Sequence, residues 1–234
     1  MFKIKRKSKV VSGSIAYLVS DLARYDEFYE ALRNTTTPEG TVTYKASGVD
    51  IVSKLNEAIR IMQGDWIWFL GDDHVWHHEL LMKLLDRDVD VVVPLCSRRK
   101  PPFSPTIFKN DKRGDGQWGV MNWNEIPQTS GLLKVEGRIG TAGMLIRKRV
   151  LDKIGFPWFE IGQECSHLLQ EDMYFCKKIQ DAGFDIYCDL DHPIGHIFRG
   201  VVWPVTNGVT WGNMLELGPN AKITVMQDKT NEVK

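Results

Sequence analysis

The sequence predicts an α/β fold with a mixed, mainly parallel sheet flanked by helices. Strand and helix patterns alternate through the first hundred residues, and two strand-length runs, 66–70 (WIWFL) and 89–95 (VDVVVPL), are apolar without alternation, as strands covered on both faces are. The balance of 43% hydrophobic and 26% charged residues over 234 positions suits one core-forming domain and excludes wholesale disorder.

The first strand is expected over 14–19 (SIAYLV) and the first helix over 21–32, where Leu22, Phe28 and Leu32 share a face. After the turn TTTPEG, an alternating run TVTYKAS gives a second strand. A helix follows over 50–62, with Ile51, Leu55, Ala58, Ile59 and Met62 at helical spacing. Gly64 stops it before the strand 66–70, which ends abruptly at GDDH. A third helix is expected over 78–85, then the strand 89–95. Residues 97–131 are rich in Pro, Gly and Trp and read as loops with short strands. A strand near 138–146, helices from 148 and over 170–182, and a strand FDIYC complete the pattern. The Gly- and Trp-rich tail carries no clear periodicity.

Thirty basic against thirty acidic residues cancel, so no global field draws the chain to nucleic acid or to an anionic membrane. The leader is locally basic through Lys3, Lys5, Arg6, Lys7 and Lys9, either as a solvated arm or as a phosphate or lipid contact. No apolar run reaches the roughly 18 residues of a membrane span, and the expected location is cytoplasmic. Cys96, Cys165, Cys176 and Cys188 show no CxxC spacing and are expected as reduced, packed thiols.

Open parallel sheets bind ligands beyond the carboxyl ends of their strands, which places GDDH at the mouth of a site. The adjacent carboxylates Asp72 and Asp73 repel unless a cation or strong donors sit between them; helix capping is the alternative. Glu171 and Asp172 open an amphipathic helix, as ordinary N-terminal charges or as a general base in a cleft. His196 follows Gly195 just after a predicted strand, where a lone histidine is more often a packed or surface residue than a ligand. Residues 97–116 hold Arg98, Arg99, Lys100, Lys109, Lys112 and Arg113 against Asp111 and Asp115, a counter-charge for phosphate or a solvated loop. Eight tryptophans are many for this length; flat rings with one donor suit stacking on a sugar or a base, while most serve core or rim packing.

Three segments in order, WIWFLGDDHVWHHELLMKLL, GTAGMLIRKRVLDKIGFPWF and EDMYFCKKIQDAGFDIYCD with the later GHI, resemble the GT-A (Rossmann-like) glycosyltransferases that use nucleotide-diphospho-sugars, in particular family-two-like members. The resemblance covers roughly 14–198. It implies a domain over 13–198, with a nucleotide-sugar half 13–96 and an acceptor half 97–198, preceded by the leader 1–12 and followed by a tail 199–234 packing on or near the active site. It also implies a DXD-type metal motif, Mn2+ or Mg2+ as cofactor, a UDP- or GDP-sugar donor, and a saccharide or, less favoured, a hydroxylated base of DNA as acceptor.

Carried across, the resemblance assigns the metal to Asp73, His74 and His196, with His192 a weaker alternative to His196. Donor contacts fall to Val19, Asp21, Asn56, Asp72, Asp73 and Arg98, and acceptor contacts to Gly143 and Trp158. Asp172 becomes the base of an inverting reaction, with Glu171 supporting it. Strict DxD alignment puts Gly71 in the first acidic position, and Leu55 replaces the arginine that accompanies the family's asparagine at Asn56. A sugar-phosphate nucleotidyltransferase would carry a Gly-rich loop where this chain reads LVSDLARYDEF. The remaining alternative is a noncatalytic nucleotide-sugar-binding module.

Overall fold

The computed structural model describes residues 11–20, 25–110, 118–164, 167–198, 200–217 and 221–227. The basic leader, Asp21, Cys165 and the charged residues Asp111, Lys112, Arg113 and Asp115 lie outside these.

The first half alternates as expected: β1 (Ser14–Leu18), α1 (Asp26–Asn34), β2 (Val42–Lys45), α2 (Ile51–Arg60), β3 (Trp66–Gly71), the two-residue β4 (His74–Val75), α3 (Leu80–Asp86) and β5 (Val91–Cys96). Helix α2 starts where Asp50 and Ser53 form a reciprocal cap, Asp50 Oδ1 accepting from Ser53 N at 2.7 Å and Ser53 Oγ from Asp50 N at 3.0 Å. Its buried stripe, Leu55, Ala58 and Ile59, packs on the sheet. Strands β3 and β5 are buried on both faces, which is why their sequences do not alternate.

The loop-like middle resolves into β6 (Ile107–Asn110), β7 (Trp118–Val120), β8 (Leu132–Lys134) and β9 (Arg138–Ile139). The single strand expected near 138–146 is two, β9 and β10 (Leu145–Arg147), separated by a turn with Gly143 at φ 70°. Then come α4 (Lys148–Ile154), the hairpin β11 (Gly162–Glu164) and β12 (His167–Leu169), α5 (Glu171–Asp181) and β13 (Tyr187–Ile197). The tail forms three more strands, β14 (Val201–Thr206), β15 (Trp211–Glu216) and β16 (Lys222–Met226).

The main sheet runs β16-β15-β14-β13-β5-β10-β3-β1-β2. Strands β1, β2 and β3 are mutually parallel, and β13 is parallel to β5. Strand β10 lies antiparallel between β3 and β5, so β3 and β5 point the same way and end on the same edge. The tail is thus an antiparallel extension of the sheet, tied to the centre where Ser97 Oγ donates to Asn213 Oδ1 at 2.7 Å in a buried bond. Cys96, Cys176 and Cys188 are free and buried. No helix among the described residues is long and apolar enough to cross a membrane.

Candidate active site

The common edge where β3 and β5 end is a cavity of about 450 Å³. Its wall includes Leu18, Gly71, Asp73, His74, Arg99, residues 140–142, Glu171, Asp172 and His196. Two groups expected from distant parts of the sequence therefore face one space, the GDDH turn with His196 on one side and the acidic start of α5 on the other.

Register explains the first group. Strand β13 does not stop at Cys188 but continues past a bulge between Asp189 and Ile194, pairing Ile194 with Cys96 on β5 and His196 with His74 on β4. His196 is therefore within a strand rather than beyond one. Ile197 N donates to Asp73 O at 2.7 Å, which fastens the turn to that strand. Gly195 permits the approach, since a Cβ there would lie 2.8 Å from both Val75 Cγ2 and Val201 Cγ1.

Asp73 sits among three cationic or cation-capable groups. Its Oδ1 lies 3.0 Å from His74 Nδ1, and its Oδ2 accepts from Arg99 Nη1 at 2.8 Å and lies 3.2 Å from His196 Nε2. Burial works against ionisation of Asp73, but the hydrogen bonds from His196 and His74 outweigh it and hold the carboxyl well below the usual range. The same contacts raise both imidazoles against the burial that would lower them. Cys96, buried beside the two rings, is drawn down by them despite its burial. Asp72 faces the other way, its Oδ2 accepting from Ser20 N at 2.7 Å and its own N–H donating to Leu18 O at 3.0 Å. It thereby holds the loop after β1 against the GDDH turn.

On the opposite wall, Asp172 is raised to about 6, first by burial and then by the neighbouring Glu171 carboxylate, against a 2.7 Å hydrogen bond from Met173 N. A carboxyl shifted toward neutrality in a cavity is the usual profile of a proton-transfer group.

Other expected contacts lie elsewhere. The Asn56 amide is occupied by the 158–159 backbone, accepting from Trp158 N and Phe159 N at 3.1 and 3.0 Å and donating to Phe159 O at 2.7 Å. Trp158 donates its indole N–H to Leu151 O at 3.0 Å. Gly143 is a packing position: its carbonyl accepts from Trp68 Nε1 at 2.8 Å, and a Cβ would meet Pro94 Cγ at 2.7 Å. Val19 is buried and its carbonyl accepts from Lys54 Nζ at 3.1 Å. Arg98 is exposed, whereas its neighbour Arg99 reaches the cavity. His192 faces Asp189 at 3.0 Å and Arg87 at 3.3 Å, away from the other histidines. Sequence reading names Arg99 within the basic run but selects its neighbour Arg98, and it takes Cys96 for a packed thiol. The strand-end rule contained the signal for Cys96, because β5 stops there on the same edge as β3.

A sheet whose strand ends converge on a carboxylate–imidazole cluster, opposite a second acidic pair, defines a GT-A type of nucleotide-sugar fold. Residues 18–155, more than half of the chain, match glycosyl transferase family 2, and the chain belongs to that family. It is a glycosyltransferase of the nucleotide-sugar-dependent kind. No curated protein matches the chain. Among solved structures, it is similar to A197 from STIV, with TM-score 0.54 and 15% identity, covering 90% of this chain and 97% of that one. It is also similar to GalNAc-T7 with UDP, GalNAc and Mn2+, with TM-score 0.54 and 11% identity, covering 80% of this chain and 43% of that one. At these identities the likeness is one of fold.

Proposed function

We propose that this chain is a metal-dependent, inverting glycosyltransferase that moves a sugar from a UDP- or GDP-sugar to a saccharide hydroxyl, with Asp172 as the base. The observation that carries the reading is the single cavity shared by Asp73, His74 and His196 on one wall and Glu171 and Asp172 on the other.

A divalent cation suits the first wall. A carboxylate with two imidazoles is a donor set that divalent cations accept. Asp73, His74 and His196 would hold the ion. When bound, it would supply counter-charge to the departing diphosphate, and a Mn2+ ion accompanies UDP in the GalNAc-T7 structure. Arg99, half exposed at the mouth, adds a guanidinium of the kind that grips phosphate oxygens.

The second wall supplies the base. As the acceptor oxygen bonds to the anomeric carbon, Asp172 takes the hydroxyl proton, and the bond from that carbon to the phosphate oxygen breaks with its electron pair leaving on the nucleoside diphosphate. Attack from the face opposite the leaving group inverts the centre. Residues 140–142, which line the cavity beside Asp172, are the candidate floor for the acceptor.

The test is a thermal-shift panel of nucleotide sugars with and without divalent cations, because a ligand that binds only the folded chain raises its Tm. Product analysis with the best donor then follows. A UDP- or GDP-sugar whose stabilisation requires the cation, and whose product has inverted anomeric configuration, is expected. Metal-independent binding or a retained configuration overturns the corresponding part. Transfer to hydroxylated DNA in place of saccharides would redirect the acceptor.

A further inference from the structure

The rings of His74 and His196 each carry two nitrogens, and Asp73 engages only one of each: His74 Nδ1 at 3.0 Å and His196 Nε2 at 3.2 Å. The remaining two belong to the side of the pair that faces the end of β5. His74 Nε2 is buried and makes no hydrogen bond. His196 Nδ1 stands 2.9 Å from Ser97 O and 3.9 Å from Cys96 Sγ. One donor atom from each of His74, Cys96 and His196 falls within 4.8 Å of the others. Cys96 is 0% exposed and His74 6%.

An unpartnered imidazole nitrogen in such a place carries an unmet desolvation penalty. Packing alone would be served better by an apolar side chain. A cation bound by the two rings and the sulfur gives that nitrogen a partner and gives a buried cysteine beside two histidines a chemical role. We propose that His74, Cys96 and His196 form a site for a thiophilic divalent cation of the zinc class. Two nitrogens and one sulfur make a borderline-soft set that favours Zn2+ over Mg2+ or Mn2+.

Asp73 already stands where such a site needs a carboxylate. It accepts from the ring N–H opposite each ligating nitrogen, which fixes tautomer and orientation. It is then a positioning residue for the rings. As the cation binds, the Cys96 thiol releases its proton to solvent, and His196 Nδ1, an N–H donor to Ser97 O, releases its own and turns its lone pair to the metal. The proposal rests on the functional reading only in placing a cation at this ring pair; it replaces the ion and the Asp73 ligand of that reading with a zinc-class ion and Cys96.

Cobalt(II) titrated into the full chain tests it, with near-ultraviolet thiolate-to-cobalt charge transfer as the readout. The expected result is a charge-transfer band displaced by Zn2+ and not by equal Mg2+. The band should be lost in Cys96→Ser and kept in Asp73→Asn, with affinity lower by roughly 10–100-fold in the latter. Cadmium NMR of the unsubstituted chain, reporting one sulfur ligand, supports the site even if Cys96→Ser does not fold. Cobalt bound without a sulfur band, no cobalt binding, or a band unchanged in Cys96→Ser overturns it. Donor hydrolysis in the same samples separates the two readings. Manganese-dependent hydrolysis without a sulfur band removes the thiolate site and leaves the transferase reading, whereas a sulfur band without turnover of any nucleotide sugar does the reverse.

Discussion

His74 and His196 are register partners on β4 and β13, and their rings stack with centroids 4.6 Å apart and planes inclined by 26°. The turn after β3 and a strand from the far end of the chain are thus joined by backbone pairing, and the position of the cluster follows from the sheet. Asp73 has no freedom to leave it, since its carbonyl accepts from Ile197 N at 2.7 Å. Changes on the two walls of the cavity should therefore separate cleanly in their effects.

Asp172→Asn should abolish transfer while donor binding persists. Loss of a general base costs about 100-fold or more in kcat, measurable by steady-state kinetics beside donor-induced thermal shifts. In the unsubstituted chain, activity should rise with pH through about 6 as the carboxyl ionises. Stability moves the opposite way. The folded state holds its proton up to about 6 and the unfolded chain releases it near 3.8, so folding loses stability as pH rises through that window. Asparagine escapes this loss, and the inactive variant should be more stable at neutral pH by roughly 1–2 kcal/mol after allowance for solvent screening. Urea denaturation checks the sign. A variant that keeps full transfer moves the base elsewhere.

Arg87→Ala should be among the most destabilising single changes. From the end of α3, Arg87 donates to Asp189 through Nε at 2.9 Å and Nη2 at 2.7 Å, and Asp189 is 0% exposed. Removing the guanidinium takes two charged donors from a buried carboxylate that keeps His192 Nδ1 at 3.0 Å and the Asp191 N–H at 2.9 Å, at a cost of about 1–3 kcal/mol. Arg87→Met with Asp189→Leu should recover most of the loss. Because Asp189 marks the start of the bulge before His196, the single variant should also weaken cation binding wherever it still folds. A loss under about 1 kcal/mol by urea denaturation would mean that His192 and the Asp191 N–H suffice to hold the buried carboxylate.

The parts of the fold that sequence made legible are those where one physical signal dominates. The unbroken apolar runs of β3 and β5 and the stripe of α2 could serve little other than a doubly covered sheet and its flanking helix. Strand β13 was cut short because Asp189, Asp191 and His192 look like a loop. The structure absorbs them in a bulge whose charges pair with Arg87, a tertiary compensation no local pattern reveals. The tail strands were illegible for a related reason: β16 is exposed along nearly its whole length and shows no buried face.

In the site, the GDDH turn and the acidic start of α5 stand out by residue type, whereas joining His74 and His196 to Asp73 comes from the resemblance to GT-A enzymes. Arg99 stands out only as one of a basic run, with nothing to favour it over Arg98, and Cys96 at the end of a hydrophobic strand looks ordinary until the sheet order is known. Asn56 had the residue type of a ligand contact while its amide serves the backbone.

That amide gives a third prediction. Asn56→Ala removes two acceptor contacts and two donor contacts, to Trp158 N, Phe159 N, Phe159 O and Val52 O. The orphaned groups should cost about 1–3 kcal/mol, seen as a lower denaturation midpoint, with nucleotide-sugar affinity unchanged. A large loss of donor affinity at preserved stability would instead assign Asn56 to the donor site.

Gly71 occupies the place of the first acid in a strict DxD alignment, and its lack of a side chain matters sterically. A Cβ at Gly71 would lie 2.9 Å from both Asp73 Oδ1 and His74 Nδ1 and 3.1 Å from His74 Cε1. Alanine would therefore press on the Asp73–His74 contact rather than on the core, and the strand end itself tolerates a side chain because Gly71 is not among the positive-φ residues. Displacing a positioned group by even about 1 Å can cost on the order of 100-fold. Gly71→Ala should therefore lower kcat/KM by that order and weaken cation-dependent donor binding while leaving the denaturation midpoint nearly unchanged. Gly119→Ala, where a Cβ would meet nothing within 4 Å, is the control and should behave like the unsubstituted chain. If Gly71→Ala keeps full kcat/KM, the Asp73–His74 geometry is looser than its contacts imply, and the cation must be held by groups elsewhere in the cavity.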